Sequence, residues 1–364
     1  MLIHLIQILV FSSFLLLSFI MLSNPLKVNR KANVLFGMFL FLWATFFLDE
    51  ILILIKAPPL GGIASLTIAF FQFLTPILFY ISVVFFTNPN YKFKKQTIIY
   101  LILPCIYLGV LILNFIGNSS LQMILVLLLI GHAFLYTLLS YLKIRKHQRK
   151  INLFSSNISE IDLNWLVYII GAIIFTSITI AIFNSIYFGL PLNLYANIIM
   201  LGIAFFIAYH SLRQKEIFPK NEKHRKEVIS IEKDEKKFDI IKRKLIEDED
   251  LVRLKSKLNS LMKESELYLN HDVNLASLSE EMKVTTHQLS YIINKGFNQN
   301  FFQFINTYRV QKAKELLSDT STDKLSILGI AYESGFSSKT TFNTTFKKLT
   351  NQTPSEFKKQ RSNL

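Results

Sequence analysis

The sequence predicts an all-α protein in two parts. A seven-transmembrane-helix bundle occupies residues 1–212, a charged connector follows over 213–254, and a cytoplasmic double helix-turn-helix part occupies 255–361. Three observations carry this reading. Residues 1–212 hold only 12 of the 40 Lys+Arg and 4 of the 25 Asp+Glu, although the whole chain has a net charge of +15. Seven apolar runs are each long enough to cross about 30 Å of hydrocarbon, which takes roughly 20 helical residues. Finally, a helix–turn–helix pattern near the C-terminus is preceded by a copy of itself 53 residues earlier.

The apolar runs fall at about 2–22, 33–55, 63–86, 97–116, 121–142, 164–187 and 193–212. The first lacks the basic n-region and small-residue cleavage site of a signal peptide and is read as a span. Loops after spans one, three and five carry eleven basic residues, from Lys27 to Lys150, against Lys56 alone in the other loops. By the positive-inside rule the N-terminus is expected outside and the C-terminus in the cytoplasm, which makes the expected location a bacterial cytoplasmic membrane.

Polar groups inside the spans are the candidate sensor residues. Asp49 and Glu50 in span two either face a cavity or reach the outer interface, because an ionised side chain in hydrocarbon is costly. Gln72 and His132 fall mid-span and Asn184 near the end of span six, where helix-to-helix hydrogen bonds are the alternative role. Pro76 and Pro104 predict kinks in spans three and four. The single cysteine, Cys105, excludes an internal disulfide and lies in an apolar run, so it reads as a small buried hydrophobe. There is no HExxH, GxSxG or glycine-rich phosphate loop, hence no expectation of an enzyme, a metal or a cofactor.

After the connector, Leu251, Leu254, Leu258 and Leu261 recur at helical spacing. They fit either a coiled coil pairing two chains as a homodimer or a helix packed on the C-terminal part. The first helix-turn-helix is read at about 274–295, with Leu278, Val284, Leu289 and Ile293 inward. Thr285 and Gln288 form a capping box, and Thr286, His287, Gln288, Ser290, Tyr291, Asn294 and Lys295 face out. A linker helix at about 301–317 follows.

The second helix-turn-helix spans about 326–349. Ile327, Ile330 and Ala331 share a face, Gly335 supplies a positive-φ turn, Phe336 fills the corner, and Phe342 and Phe346 point inward. Ser337 or Ser338 caps the reading helix, and Lys339, Thr340, Asn343, Thr344 and Lys347 face out with Lys348. Amide and hydroxyl groups read base edges in a major groove while lysines hold phosphates, so double-stranded DNA is the expected partner. Thr353-Pro354-Ser355-Glu356 opens one more helix with a capping box.

The set Ile330-Ala331, Gly335-Phe336-Ser337-Ser338, Phe342, Phe346-Lys347-Lys348 and Thr353-Pro354 resembles the DNA-binding domain of the AraC family of bacterial transcription regulators. The resemblance covers roughly Leu258 to Arg361. Asn351 stands where that family usually has glycine, and Gly329 where it has a helix former. The segment Met262–Asn270 resembles the lead-in of membrane-anchored members. Arg309 occupies an arginine position of the family's linker helix, with an ion pair to an acidic residue such as Glu333 preferred to a phosphate contact.

The apolar runs together with what the resemblance implies lead to the expectation of a membrane-embedded, sequence-specific transcription regulator that receives a small-molecule or envelope signal through its lipid-embedded spans. The alternative is a transporter or membrane enzyme with a regulatory helix-turn-helix tail.

Overall fold

The computed structural model describes residues 2–117, 119–158, 161–186, 193–214, 246–319 and 324–362. The connector expected at 213–254 lies mostly outside them. The described residues are helical, with one antiparallel bridge between Ser155 and Asn274. Two compact units form, and their boundary differs from the expected one. The first holds residues 1–146 and 163–217, whereas 147–162, read from sequence as a loop between spans, belongs to the second unit with the C-terminal helices.

The first unit contains α1 (Leu2–Ser23), α2 (Arg30–Thr45), α3 (Leu48–Leu54), α4 (Gly62–Phe73), α5 (Thr75–Thr87) and α6 (Ile102–Phe115), followed by α7 (Gln122–Ile151) up to Lys146, α8 (Asn164–Ile186) and α9 (Asn193–Arg213). By length and composition, six helices among the described residues can cross a membrane. The pair α2–α3 would make a seventh, but it bends by 47° at Phe46–Phe47, so the expected continuous span over 33–55 is broken. α1 lies along α2 and against α9, and α2 along α5. The approach of α1 to α2 depends on Gly37, where a Cβ would lie 2.9 Å from Leu22 Cγ, and on Ser18 Oγ donating to Gly37 O at 2.8 Å.

Span three breaks at Leu74 with Pro76 in the first turn of α5, as a proline that cannot continue the hydrogen-bond ladder requires. Span four begins with a 3-10 turn, Lys95–Leu101, and Pro104 sits in the first turn of α6. Cys105 is exposed rather than buried, because α6 turns the neighbouring Pro104 and Tyr107 inward and leaves Cys105 on the outer face.

Of the expected sensor residues, Gln72 makes the helix-to-helix bond, Nε2 donating to Thr45 O at 3.1 Å. His132 is 1% exposed and stacked on Phe73 at 4.1 Å. Asp49 is exposed and Glu50 half-buried in the first turn of α3. The side chain of Asn184 lies outside what is described.

The second unit contains α10 (Asp248–Ser265), a 3-10 turn (Leu267–Leu269), α11 (Leu275–Met282), and α12 (Thr286–Tyr291) continuing as a π-turn (Ile292–Gly296). α13 (Phe301–Ser318), α14 (Ile327–Glu333), α15 (Lys339–Thr350) and α16 (Pro354–Ser362) complete it. Leu258 and Met262 of α10 are fully buried, Lys257 Nζ donates to Met282 O at 3.0 Å, and Tyr308 OH donates to Asn259 Oδ1 at 2.6 Å. The leucine-rich helix therefore packs within this unit.

α13 is the strut of the unit, about 27 Å long at 1.5 Å per residue. Phe301, Phe304 and Ile305 at its start are buried beside the π-turn and the 3-10 turn. Val310, Ala313 and Leu317 at its end join Ile330, Phe336, Phe342, Phe346 and Phe357 in one apolar core. Burial of this kind contributes roughly 25 cal/mol per Å² and is what fixes the two helix pairs on one rod.

Candidate nucleic-acid interface

The second helix pair is built as its caps dictate. Ser326 Oγ accepts from Gly329 N at 3.0 Å and Ser338 Oγ from Thr341 N at 3.2 Å, so α14 and α15 each start on a serine oxygen. The turn between them holds Gly335 at φ 86, where a Cβ would sit 2.5 Å from Tyr268 O. Phe342 and Phe346 pack inward with ring centroids 5.6 Å apart. That places Lys339, Thr340, Thr344, Lys347 and Lys348 on the exposed face, with Asn343 and Ser338 half-buried at its base. Asn351 ends α15 in the left-handed conformation at φ 60, filling the place of the usual glycine. Thr353 and Glu356 form the expected capping box. Thr353 N donates to Glu356 Oε2 at 2.7 Å, a bond that holds the carboxyl below its ordinary range.

The first helix pair follows the same plan with three differences. Thr285 Oγ1 accepts from Gln288 N at 3.1 Å while Thr285 N donates to Gln288 Oε1 at 3.0 Å, so the amide oxygen of Gln288 is engaged in capping its own helix. Thr286, expected on the outward face, is 1% exposed: at the first position of α12 its side chain turns into the body of the unit. Ser290 is also buried, for the same reason one turn later. Third, α12 gives way to a π-turn, which widens the winding and takes Asn294 and Lys295 out of the α-helical register. His287, Gln288, Tyr291 and Asn294 are half-buried and Lys295 is exposed. Asn294 Nδ2 donates to Ser290 Oγ at 3.4 Å.

Arg309 differs most from expectation. It makes no ion pair with Glu333; instead its guanidinium is 1% exposed and surrounded by carbonyl oxygens. Nε donates to Tyr268 O at 2.7 Å, Nη2 to Asn270 O at 2.9 Å and Ser156 Oγ at 3.1 Å, and Nη1 to Ser156 O and Asn306 Oδ1, both at 3.3 Å. The Phe336 ring lies 5.8 Å away. Burial pushes its pKa down to about 9, opposed by the charge of Asp272, which leaves the group cationic at neutral pH. A buried cation wants several acceptors, and five are supplied.

The residues missed from sequence are Ser156, Tyr268 and Asn270, which no periodicity marks because each contributes a backbone oxygen, and Ser156 its hydroxyl as well, from outside the α-helices. Lys255, whose Nζ lies 5.0 Å over the Phe297 ring, was missed as well.

Comparison with known proteins agrees with this geometry for the C-terminal part. The family described as Helix-turn-helix domain matches residues 278–360. An uncharacterized HTH-type transcriptional regulator of Staphylococcus aureus strain COL is 36% identical over 105 residues, 29% of this chain and 14% of that protein. A counterpart from strain MSSA476 is also 36% identical over 105 residues, with the same coverage. The chain thus spans about a seventh of the length of the curated relatives it matches. No solved structure matches the chain. The C-terminal part matches a helix-turn-helix domain, and among the described residues six of the helices preceding it are long and apolar enough to cross a membrane.

Proposed function

We propose that this chain is a membrane-embedded, sequence-specific transcription regulator whose apolar helices receive a signal and whose C-terminal unit reads DNA. The single observation that carries the reading is the pair of capped reading helices, α12 and α15, set at the two ends of one buried strut. Lys339, Lys347, Lys348 and Lys295 hold phosphates; Asn343, Thr340, His287 and Asn294 discriminate bases. Thr286 leaves this set because it is buried, and Gln288 reads through whatever its capped amide still presents. A strut of about 27 Å suits two helices entering successive major grooves roughly 34 Å apart, so one chain covers a bipartite site.

The bent α2–α3 pair counts as one span in this reading, which gives seven crossings with the C-terminal unit in the cytoplasm. Span faces are apolar outward as well as inward, with Leu127, Ile130 and Phe134 of α7 all exposed. Water would not tolerate such a face and lipid would. Two chains can pair on a palindromic target.

The test uses the full chain in lipid nanodiscs. Its affinity for duplex from its own upstream region should exceed that for random duplex by at least about 10³-fold at physiological salt. Equal affinity for both, or a C-terminal tag reporting from outside the cell, would overturn the reading.

A further inference from the structure

Residues 151–157 form a short hooked segment inside the second unit, and the unit has a surface built for it. Two helices of the DNA-reading part start with amide groups that no residue of their own helix satisfies. In α11 the Asn274 cap takes the amides of Ala276 and Ser277, and the remaining Leu275 N donates to Phe154 O at 2.9 Å. In α13 the Asn300 cap takes Gln303 N, and Phe302 N donates to Asn152 O at 3.1 Å. Ser156 completes the seat. Its hydroxyl donates to Val273 O at 2.6 Å and accepts from Arg309 Nη2, and its carbonyl accepts from Arg309 Nη1 and from Asn306 Nδ2 at 3.4 Å. Phe154 is 3% exposed and Ser156 1%.

We propose that the surface formed by the starts of α11 and α13 and by Arg309 is a receptor for the chain's own segment 151–157, and that its occupancy sets the DNA affinity of the two reading helices. The seat joins the first reading pair to the strut that carries the second. Removing the segment leaves two helix-start amides and a buried cation short of acceptors at that junction. Desolvated groups of this kind are costly to leave unpaired, so the junction loosens when the segment leaves.

The segment begins immediately where α7 ends at Ile151, so no slack separates the helix end from the Asn152 contact. His147 Nε2 lies 3.0 Å from Ile161 O and Gln148 Nε2 donates to Asp162 O at 3.1 Å, so Ile161 and Asp162, just ahead of α8, are held as well. A displacement of either helix end therefore reaches the reading part through this segment. The covalent connector before α10 is a second route, not the sole one. The affinity half of this inference rests on the regulator reading; the docking half does not.

The experiment uses the full chain in nanodiscs on a Cys105→Ser background. Ser155 and Asn274 face each other in an antiparallel bridge flanked by the Leu275 N to Phe154 O bond, a non-hydrogen-bonded pair whose Cα atoms lie about 4.5 Å apart, a separation a disulfide can bridge. S155C/N274C should oxidise to an intramolecular disulfide in most molecules, and S155C alone should give none. Absence of that disulfide overturns docking. In affinity, Ser156→Trp should weaken binding of the preferred duplex about tenfold or more, and Ser156→Ala about threefold, since the latter loses the hydroxyl's bonds to Arg309 and Val273 and keeps the carbonyl.

Misfolding is separated by the lock: oxidising S155C/N274C should restore the affinity lost by Ser156→Ala in the same chain. A Ser156→Trp chain within twofold of the parent, or an oxidised lock that restores nothing, overturns the control of affinity. If the parent itself ignores every duplex while the disulfide still forms, the regulator reading fails and the affinity claim falls with it, while docking stands.

Discussion

Gly335 meets the backbone of Tyr268 so closely that a methyl group on its α-carbon would lie 2.5 Å from the Tyr268 carbonyl oxygen and 2.8 Å from the α-carbon of Leu269. The same carbonyl accepts from Arg309, so one peptide oxygen ties the turn of the second reading pair to the strut. The positive φ adds a second reason for glycine. Gly335→Ala should destabilise the second unit by about 2–4 kcal/mol, the sum of overpacking and a left-handed alanine. Hydrogen exchange of α14 and α15 amides in the full chain measures this, and a loss under about 1 kcal/mol would mean the contact can relax.

Asn343 and Lys347 lie on α15 one turn apart, Asn343 half-buried at its base and Lys347 exposed. Asn343→Ala is expected to lower discrimination between preferred and random duplex by about 1–3 kcal/mol with little loss on random sequence. Lys347→Ala should weaken both alike and reduce the salt slope by about one. Salt-dependent titrations of each variant on both duplexes check the assignment. Equal losses on both duplexes for both variants would remove it.

Asn351 closes α15 at φ 60 and ψ 10, with its N–H donating to Lys347 O at 2.8 Å. Asn351→Gly should leave stability unchanged or raise it, whereas Asn351→Ala should cost about 1 kcal/mol, because a Cβ is strained in that conformation and alanine lacks the local hydrogen bonds that help asparagine there. Chemical denaturation midpoints of the pair give the ordering.

Glu266 accepts from Lys312 Nζ at 2.8 Å and from Tyr268 OH at 3.0 Å, and these bonds hold its carboxyl below the ordinary value of 4.5. A depressed carboxylate contributes stability above its unfolded pKa and loses it as pH falls through the folded one. Both partners are partly exposed, at 27% and 42% for the lysine and glutamate side chains, so the contribution is at most about 1 kcal/mol. Glu266→Gln should therefore be slightly less stable than the parent near pH 7, with a smaller difference at about pH 3, as the folded carboxyl takes up its proton. Urea midpoints at the two pH values test this, and a difference that grows on acidification would contradict it.

Where the sequence was legible, the reason was local chemistry. Ser338, Thr353, Glu356 and the Thr285–Gln288 box announce helix starts because a side-chain oxygen must meet a backbone N–H two or three residues on, and the phenylalanines of α15 show a core by spacing alone. The burial of Thr286 was not legible, since a six-residue α12 has too little periodicity to fix which side its first residue faces. Arg309 suggested an acid partner by charge, yet its cation is solvated by neutral oxygens, three of them backbone carbonyls that carry no side-chain signature. Its contact with Ser156 crosses 153 residues, a distance over which one sequence read by itself gives no pairing signal. The bend between α2 and α3 has no proline or glycine at Phe46–Phe47 to announce it. The membrane-type composition of the first unit was legible from hydropathy.

The π-turn that ends α12 makes the two ends of the strut unlike: Lys295 leaves its helix on a wider winding than Lys347 leaves α15. On the proposed reading, a promoter bearing the two half-sites in reversed order would be, for a single chain, a different address.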